Sequence, residues 1–233
     1  MKSLKGVVDI NRAFFEQTAQ EYLEQAELYR DRMLNLFFEN FVFRLDPANH
    51  LPVIEIGKGA GILAEAVLRS GIQYTAVDHS ATMIEIARRY LQRHVPDRLH
   101  ATEFINRNVF DAGWSHGRRF QALLIQAVIH LFPKPTARTL LKRLSDLVSS
   151  HGHVWIATTE SSTPAEGYFI DANLRRPSEA LRGIASFRAF YTREEFLCLI
   201  NSAGLDPVRL IDNTDAERDH IRKWMILVCR KRS

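Results

Sequence analysis

The stretch VIEIGKGAG, at residues 53–61, decides the fold of this chain. Branched aliphatic side chains at its start favour a strand, and the glycines at 57, 59 and 61 permit a tight turn directly afterwards. Residues 62–69 then have a helical pattern that stops at Gly71. A strand, a glycine loop and a helix in this order expose bare backbone at a helix N-terminus, which suits a polar or anionic ligand.

The spacing of the loop indicates what kind of ligand it suits. A dinucleotide fingerprint has glycine or alanine at its sixth position, and this chain has Ile62 there. Asp78 closes the second predicted strand, 21 residues after Gly57, where a carboxylate accepts hydrogen bonds from both hydroxyls of a ribose. The alternative role for Asp78 is to cap the next helix. The pattern predicts a nucleoside-bearing ligand and ranks a nicotinamide oxidoreductase behind the other hypotheses below.

Strands and helices alternate through the rest of the chain. Apolar residues from 9 to 45 recur at steps of three and four, which predicts one long helix or two in series before a turn at 46–50. The alternation favours a mostly parallel sheet covered on both faces, and the last two strands are near enough in sequence to pair antiparallel. The predicted strands are 51–56, 74–78, 101–106, 121–125, 153–157, 207–211 and 224–229, and the later helices are 62–69, 82–92, 136–147 and 193–203.

Composition excludes several classes of protein. The chain has 233 residues, 46% hydrophobic and 25% charged, which is an ordinary globular composition. No apolar stretch reaches about 18 residues and the N-terminus lacks a secretory signal, so we expect a soluble, cytoplasmic protein with no membrane partner. The net charge of +4 is not gathered into a basic stripe, which disfavours a nucleic-acid partner. Cys198, Cys229 and the nine histidines show no metal-ligand spacing, so we expect no metal site.

Two motifs together resemble the class I S-adenosylmethionine-dependent methyltransferase superfamily. The first is the stretch at 53–61, with an acid two residues before a GxGxG loop. The second is AVDHSATM at 76–83, in which an acid ends a strand and leads into a helix with a methionine. The similarity implies an α/β fold: a Rossmann-like, doubly wound, mostly parallel seven-stranded sheet with an antiparallel last strand and an N-terminal helical cap.

The resemblance also implies a single methyltransferase domain, residues 1–233, in four parts. These are an N-terminal helical cap at 1–50, a cofactor-binding core at 51–160, a substrate-cap insertion at 161–192, and a C-terminal helix and strand pair at 193–233. The implied cofactor is S-adenosyl-L-methionine.

Cofactor roles follow from the resemblance residue by residue. Glu55 would stabilise the loop and face the amino group of the cofactor, or alternatively only cap the loop amides, and Asp78 would bind the ribose. The other implied contacts are Gly57, Gly59, Gly61 and Gln126 at the methionine part, His79, Met83, Asn108 and Val109 at the adenine, and Tyr22 as an aromatic that closes over the cofactor.

Three positions depart from the superfamily pattern. Asn108 replaces the usual Asp, although its carbonyl oxygen can still accept a hydrogen bond from the adenine amino group. Lys58 replaces a small residue between two glycines and either reaches an anionic group or points to solvent, and Gln121 replaces a common Asp. These departures support an alternative in which the protein binds the cofactor without methylating.

The long connection at 160–192 is the predicted acceptor site, because excess length over a rigid scaffold often carries specificity. Its composition suggests an aromatic or anionic small molecule, and the alternative is a solvated helical insertion. Its aromatic and basic residues are Tyr168, Phe169, Phe187, Phe190, Tyr191, Arg175, Arg176, Arg182 and Arg188.

Methyl transfer to a weak nucleophile needs alignment and a base. The candidate bases are His130, Glu160 and Tyr168, although His130 could instead be a packed core residue. We therefore predict a methyltransferase that acts on a small molecule, as a monomer or homodimer. Methylation of RNA or protein is the remaining alternative, which the basic pI of about 9.2 keeps open.

Overall fold

The computed structural model describes residues 3–57, 59–111, 113–162, 167–171, 185–214 and 223–233. Its elements alternate as the sequence predicts. The helices are α1 Leu4–Asn40, α2 Ile62–Arg69, α3 Ala81–His94, α4 Lys134–Ser145 and α5 Arg193–Ser202, with short 3-10 helices at Val42–Arg44, Pro96–Ala101 and Ile129–Leu131. The strands are β1 Val53–Ile56, β2 Tyr74–Asp78, β3 Thr102–Asn106, β4 Phe120–Gln126, β5 Val148–Thr159, β6 Tyr168–Asp171, β7 Ala185–Arg188, β8 Leu205–Thr214 and β9 Lys223–Lys231.

The main sheet has seven strands in the order β3-β2-β1-β4-β5-β9-β8. The first five are parallel, and β9 runs antiparallel between β5 and β8. Both faces carry buried apolar side chains, because alternate residues of each strand join a separate core: Ile54 belongs to one and Val53 to the other. The predicted fold class is confirmed. None of the helices in the described part of the chain is long and apolar enough to cross a membrane.

The N-terminal region forms one continuous helix rather than two. Ser3 caps α1 by accepting a hydrogen bond from the Gly6 amide at 3.3 Å. At the other end, Phe37 and Phe41 are fully buried and pack around Trp155 of β5, with ring centroids 5.0 and 5.8 Å away. The C-terminal half of α1 therefore lies on the sheet face, and its other half extends towards the carboxyl ends of the strands.

A buried carboxylate holds α1 against the core. Glu65 of α2 is fully buried and accepts hydrogen bonds from Arg30 of α1, from the Tyr90 hydroxyl of α3 at 2.7 Å and from Arg69 at 2.8 Å. Burial by itself raises the pKa of Glu65, but these hydrogen bonds outweigh it and the net pKa lies below its usual value. One ionised side chain thus joins three helices.

Replacing Glu65 with glutamine should lower the free energy of unfolding by about 3 kcal/mol, because Arg30 loses a buried anionic partner. The wild-type contribution is present above the ordinary carboxyl pKa and is lost as pH falls through the lower folded pKa. Urea unfolding at neutral and acidic pH measures both effects. Glu85→Gln, on the exposed side of α3, is the matched control, and an equal loss in both variants would contradict this role.

Two features differ most from the predicted elements. β6 and β7 pair antiparallel, so the alternative of a helical insertion is wrong for residues 168–171 and 185–188. β5 is also longer than predicted: His151 and its neighbours lie inside it, at an irregularity where His151 has φ of +64°. The β6–β7 pair and the extension of β5 both depend on pairing between residues distant in sequence, which local sequence patterns do not indicate. The predicted cap residues Arg175, Arg176 and Arg182 lie outside the described residues.

Candidate cofactor site and its surroundings

A row of polar side chains lies at the carboxyl ends of the central strands. Glu55 of β1 pairs with Ala76 on one side and Leu124 on the other. Asp78 lies two residues after Ala76 on β2, and Gln126 lies two residues after Leu124 on β4. Both side chains are therefore on the same sheet face as Glu55, on either side of β1 and nearer to the carboxyl ends of the strands. β1 is also the point at which the strand order changes: β2 and β3 lie on one side of it, and β4 and β5 lie on the other. Open α/β sheets bind ligands at such a point.

The glycine loop adopts backbone conformations that favour glycine. Gly57, Gly59 and Gly61 have φ of +64°, +57° and +97°. A Cβ at Gly57 would lie 2.4 Å from Val128, so that position also needs glycine for space. Chain neighbours aside, a Cβ at Gly59 would meet no atom of the described residues within 4 Å. The loop therefore leaves open space beside Gly59, as a ligand cradle requires. Lys58 lies outside the described residues.

The two acidic residues of the motifs have different surroundings. Glu55 is buried and accepts a hydrogen bond from the Tyr74 hydroxyl. Asp78 accepts a hydrogen bond from the Ser80 amide at 2.9 Å, and it is Ser80 that caps α3 through the Met83 amide at 3.2 Å. Asp78 is therefore not the residue that caps α3, although it accepts a hydrogen bond from the one that does.

His79 lies beside Asp78, with 3.5 Å between Nδ1 and the carboxylate oxygen. Burial and the nearby Arg12 lower the pKa of His79 to about 4, and Asp9 opposes them. Within the described residues, its buried Nε2 has no hydrogen-bond partner. The neutral imidazole therefore presents a polar atom that a ligand could satisfy.

The low pKa of His79 gives a pH dependence that can be tested. A folded pKa of about 4 against 6.5 means that protonation favours the unfolded chain, so stability should fall as pH falls from 6.5 towards 4. The loss between pH 7 and 5 should be smaller in His79→Gln, measured by urea unfolding. NMR titration of the imidazole provides an independent measurement. A midpoint near the ordinary histidine value would contradict this assignment.

The remaining predicted cofactor residues occupy the same end of the sheet. Asn108 Oδ1 accepts a hydrogen bond from the Phe110 amide at 3.0 Å, which shapes the loop after β3, and Val109 and Met83 are buried. Gln126 Oε1 accepts a hydrogen bond from Trp155 Nε1 at 2.8 Å, which orients its amide. The Tyr22 ring lies 5.4 Å from that of Phe15 on α1.

The candidate bases have different partners. His130 is buried in the 3-10 helix Ile129–Leu131, with Nδ1 3.4 Å from Thr158 Oγ1 and its ring 6.2 Å from that of Trp224. Glu160 follows β5, where it bridges to Tyr191 and lies 3.6 Å from Arg193 Nε. The backbone of Tyr168 belongs to β6, and its side chain lies outside the described residues. Their catalytic roles remain predictions.

Asn11 is a site-building residue that the sequence analysis missed. Its Nδ2 donates to the Leu131 carbonyl at 2.8 Å, and its Oδ1 accepts from the Phe187 amide at 2.9 Å. It thus joins α1 to the segment of His130 and to β7. A polar residue on the apolar stripe of α1 is the signal that could have identified it.

Comparisons with known proteins agree with this geometry. Residues 53–152 match the model of a family described as a methyltransferase domain. A 1,6-didemethyltoxoflavin-N1-methyltransferase from Burkholderia thailandensis has a TM-score of 0.71 at 18% identity, covering 100% of this chain and 92% of that one. The 4+2 cyclase SpnF has a TM-score of 0.63 at 15% identity, covering 87% and 80%. The chain has the fold of the class I S-adenosylmethionine-dependent methyltransferases, and residues 53–152 match the methyltransferase-domain model, which confirms the predicted resemblance.

Sequence similarity extends to curated enzymes. The ubiquinone biosynthesis O-methyltransferase of Serratia proteamaculans (strain 568) is 28% identical over 119 residues, 48% of this chain and 44% of that enzyme. The chain spans less than two thirds of the length of the first curated relatives it matches, 44%, 65% and 43%.

Proposed function

We propose that this protein binds S-adenosyl-L-methionine and transfers its methyl group to a small-molecule acceptor. The observation that carries the proposal is the polar row of Asp78 and Gln126 on either side of the glycine loop, at the carboxyl ends of the strands. The open space beside Gly59 and His79 Nε2, which has no hydrogen-bond partner among the described residues, fit a ligand with bulk and polar atoms at this position. The methyltransferase-domain match covers the same residues.

Each part of the site has a distinct binding task in this proposal. Asp78 holds the ribose hydroxyls, while the backbone of Gly59 and Gly61 contacts the methionine part. Asn108 already accepts one hydrogen bond from the Phe110 amide, and its carbonyl oxygen has a second lone pair for the adenine amino group. Bound S-adenosylmethionine would supply an electrophilic methyl group on a sulfonium.

His130 is the preferred general base among the three candidates. It is buried in the 3-10 helix after β4, and a proton on Nδ1 donated to the Thr158 hydroxyl would leave Nε2 as the atom that takes the acceptor proton. The hydrogen bond from the Ala189 amide to the His130 carbonyl, at 2.7 Å, fixes the backbone beside the cap.

Calorimetry with S-adenosylhomocysteine and with nicotinamide dinucleotides tests the cofactor, and labelled S-adenosylmethionine with a metabolite panel tests transfer. We expect binding of S-adenosylhomocysteine alone and label incorporation into a small molecule. His130→Ala should reduce incorporation about a hundredfold while leaving cofactor affinity unchanged. His100→Ala, exposed before β3, is the control. Equal loss in both variants would contradict a catalytic role.

A second candidate function is binding of the cofactor without methyl transfer. It is favoured by the similarity in fold to SpnF, whose name describes a cyclase and not a methyltransferase. Gln121 no longer supports this candidate. It accepts from the Asp46 amide at 3.0 Å and donates to the Leu51 carbonyl at 2.7 Å, which is a structural role at the opposite end of the sheet. Tight binding of S-adenosylhomocysteine with no label incorporation would favour the second candidate.

A further inference from the structure

We propose that the buried hydroxyl of Thr159 binds the nucleophilic atom of the methyl acceptor, so that this atom is an oxygen or a nitrogen. This inference rests on the proposed function and specifies the substrate class of the same site. Thr159 is the last residue of β5, the strand next to β4 in the sheet. It therefore lies at the carboxyl ends of the strands, as the polar row of Asp78 and Gln126 does.

The register of the sheet places Thr159 beside the cofactor site. Gln126 of β4 pairs with Ala157 of β5, and Thr159 lies two residues further along β5. Side chains alternate along a strand, so Thr159 is on the same face of the sheet as Gln126, and their Cα atoms are about 8 Å apart. Gln126 is the residue expected at the methionine part of the cofactor. A group that reaches Thr159 can therefore lie next to the methyl group that is transferred.

The Thr159 hydroxyl is a buried polar group that needs an explanation. The side chain is 3% exposed, and Oγ1 has no hydrogen-bond partner within the described residues. Polar atoms of two nearby residues of β5 do have partners: Thr158 Oγ1 lies 3.4 Å from His130 Nδ1, and Trp155 Nε1 donates to Gln126 Oε1 at 2.8 Å. A valine would fill the position of Thr159 without burying a polar atom. A ligand atom at this end of the strand would account for the hydroxyl.

The candidate base is near the same place. His130 contacts Thr158, the residue before Thr159, and its ring lies 6.2 Å from that of Trp224. Trp224 pairs with Thr159 from the neighbouring strand β9. The imidazole therefore lies close to two neighbours of Thr159, and an acceptor atom held by Thr159 is in the region that His130 reaches. The partly buried indole of Trp224 provides a flat apolar surface beside it.

The hydrogen-bonding capacity of a hydroxyl decides which acceptor atoms fit. It can donate to the oxygen of an acceptor hydroxyl or accept from the second N–H of an acceptor amine, whereas a thiol is a weak donor and a weak acceptor. In the transfer, the acceptor atom forms a bond to the methyl carbon, the carbon–sulfur bond breaks with its electron pair staying on sulfur, and the acceptor proton passes to His130. A site that hydrogen-bonds O–H or N–H groups selects against analogues that lack them.

The first test measures whether the hydroxyl lacks a partner in the free protein. Thr159→Val should raise the midpoint of thermal unfolding by about 2 to 4 °C, because a buried hydroxyl without a partner opposes folding. Thr75→Val is the matched control: Thr75 is a buried strand residue whose hydroxyl donates to Glu103 at 3.3 Å, so its loss should lower the midpoint. A midpoint for Thr159→Val at or below the wild-type value would overturn the inference.

The second test measures transfer from labelled S-adenosylmethionine to naphthols, naphthylamines and naphthalenethiols with matched ring positions, and NMR of the products locates the methyl group. Thr159→Val should lower kcat/KM for the oxygen and nitrogen acceptors about tenfold or more, while transfer to sulfur and the affinity for S-adenosylhomocysteine stay unchanged. Thr159→Ser keeps the hydroxyl and should retain most of the activity. Thr75→Val should transfer like the wild type.

The outcomes separate this inference from the proposed function. Wild-type transfer by Thr159→Val, or methylation of sulfur or ring carbon only, would show that the inference is wrong although the cofactor site stands. Weaker binding of S-adenosylhomocysteine by Thr159→Val would assign the hydroxyl to the cofactor instead. If the wild type binds this cofactor product but labels no member of the panel, calorimetry of the same compounds with the saturated protein replaces the rates, and an equal affinity for all of them contradicts the inference. If the wild type does not bind S-adenosylhomocysteine, the proposed function itself fails.

Discussion

Asp78→Ala is expected to weaken the binding of S-adenosylhomocysteine at least tenfold. The substitution removes the carboxylate that would accept two hydrogen bonds from the ribose, each worth about 1.5 to 3 kcal/mol when one partner is charged. It also removes the acceptor for the Ser80 amide at the start of α3. Asp78→Asn keeps one oxygen for that amide, so its loss of affinity should be smaller. Isothermal titration calorimetry measures both.

Asp97→Ala is the matched control for Asp78. Asp97 is exposed in the 3-10 helix before β3, at the amino end of that strand and away from the proposed site. It should bind S-adenosylhomocysteine like the wild type. Unchanged binding in a folded Asp78→Ala variant would show that the nucleoside is held elsewhere.

Gly59→Ala is expected to abolish measurable cofactor binding while the protein remains folded. Among the residues that the structure describes, and apart from the chain neighbours, the added methyl group meets no atom within 4 Å, so its steric effect would fall on the ligand in the open space beside the loop. The backbone φ of +57° adds strain of about 1 kcal/mol for any L-residue with a side chain. Calorimetry measures the loss of cofactor binding, and thermal unfolding measures the loss of stability that the backbone strain causes.

Gly71→Ala controls for the strain. Gly71 has φ of +80°, and its Cβ would also meet no other atom within 4 Å in the described part of the chain, but it lies after α2, at the opposite end of the sheet. Both variants should lose similar stability, and only Gly59→Ala should lose cofactor binding. If Gly59→Ala binds S-adenosylhomocysteine as tightly as Gly71→Ala does, the loop is only a turn and the proposed function loses its main support.

Elements with strong local signals were predicted closely. β2 and α2 begin and end where the sequence places them, because β-branched runs and glycines act within a few residues. β8 and β9 pair antiparallel as predicted but extend further, since strand ends depend on the available partner. The pairing of β6 with β7 was missed because the two short strands lie far apart in the sequence and gain stability only from each other.

The sequence by itself determined the class of fold and predicted the cofactor-site positions, because the glycine loop, the acid at the end of β2 and the strand–helix alternation are local patterns. Only the tertiary structure decided how those residues are used. It showed that Ser80 rather than Asp78 caps α3, that Tyr74 occupies one side of Glu55, and that Asn11 joins α1 to β7. Such contacts link residues up to 176 positions apart, and their strength depends on burial that arises only when the chain packs.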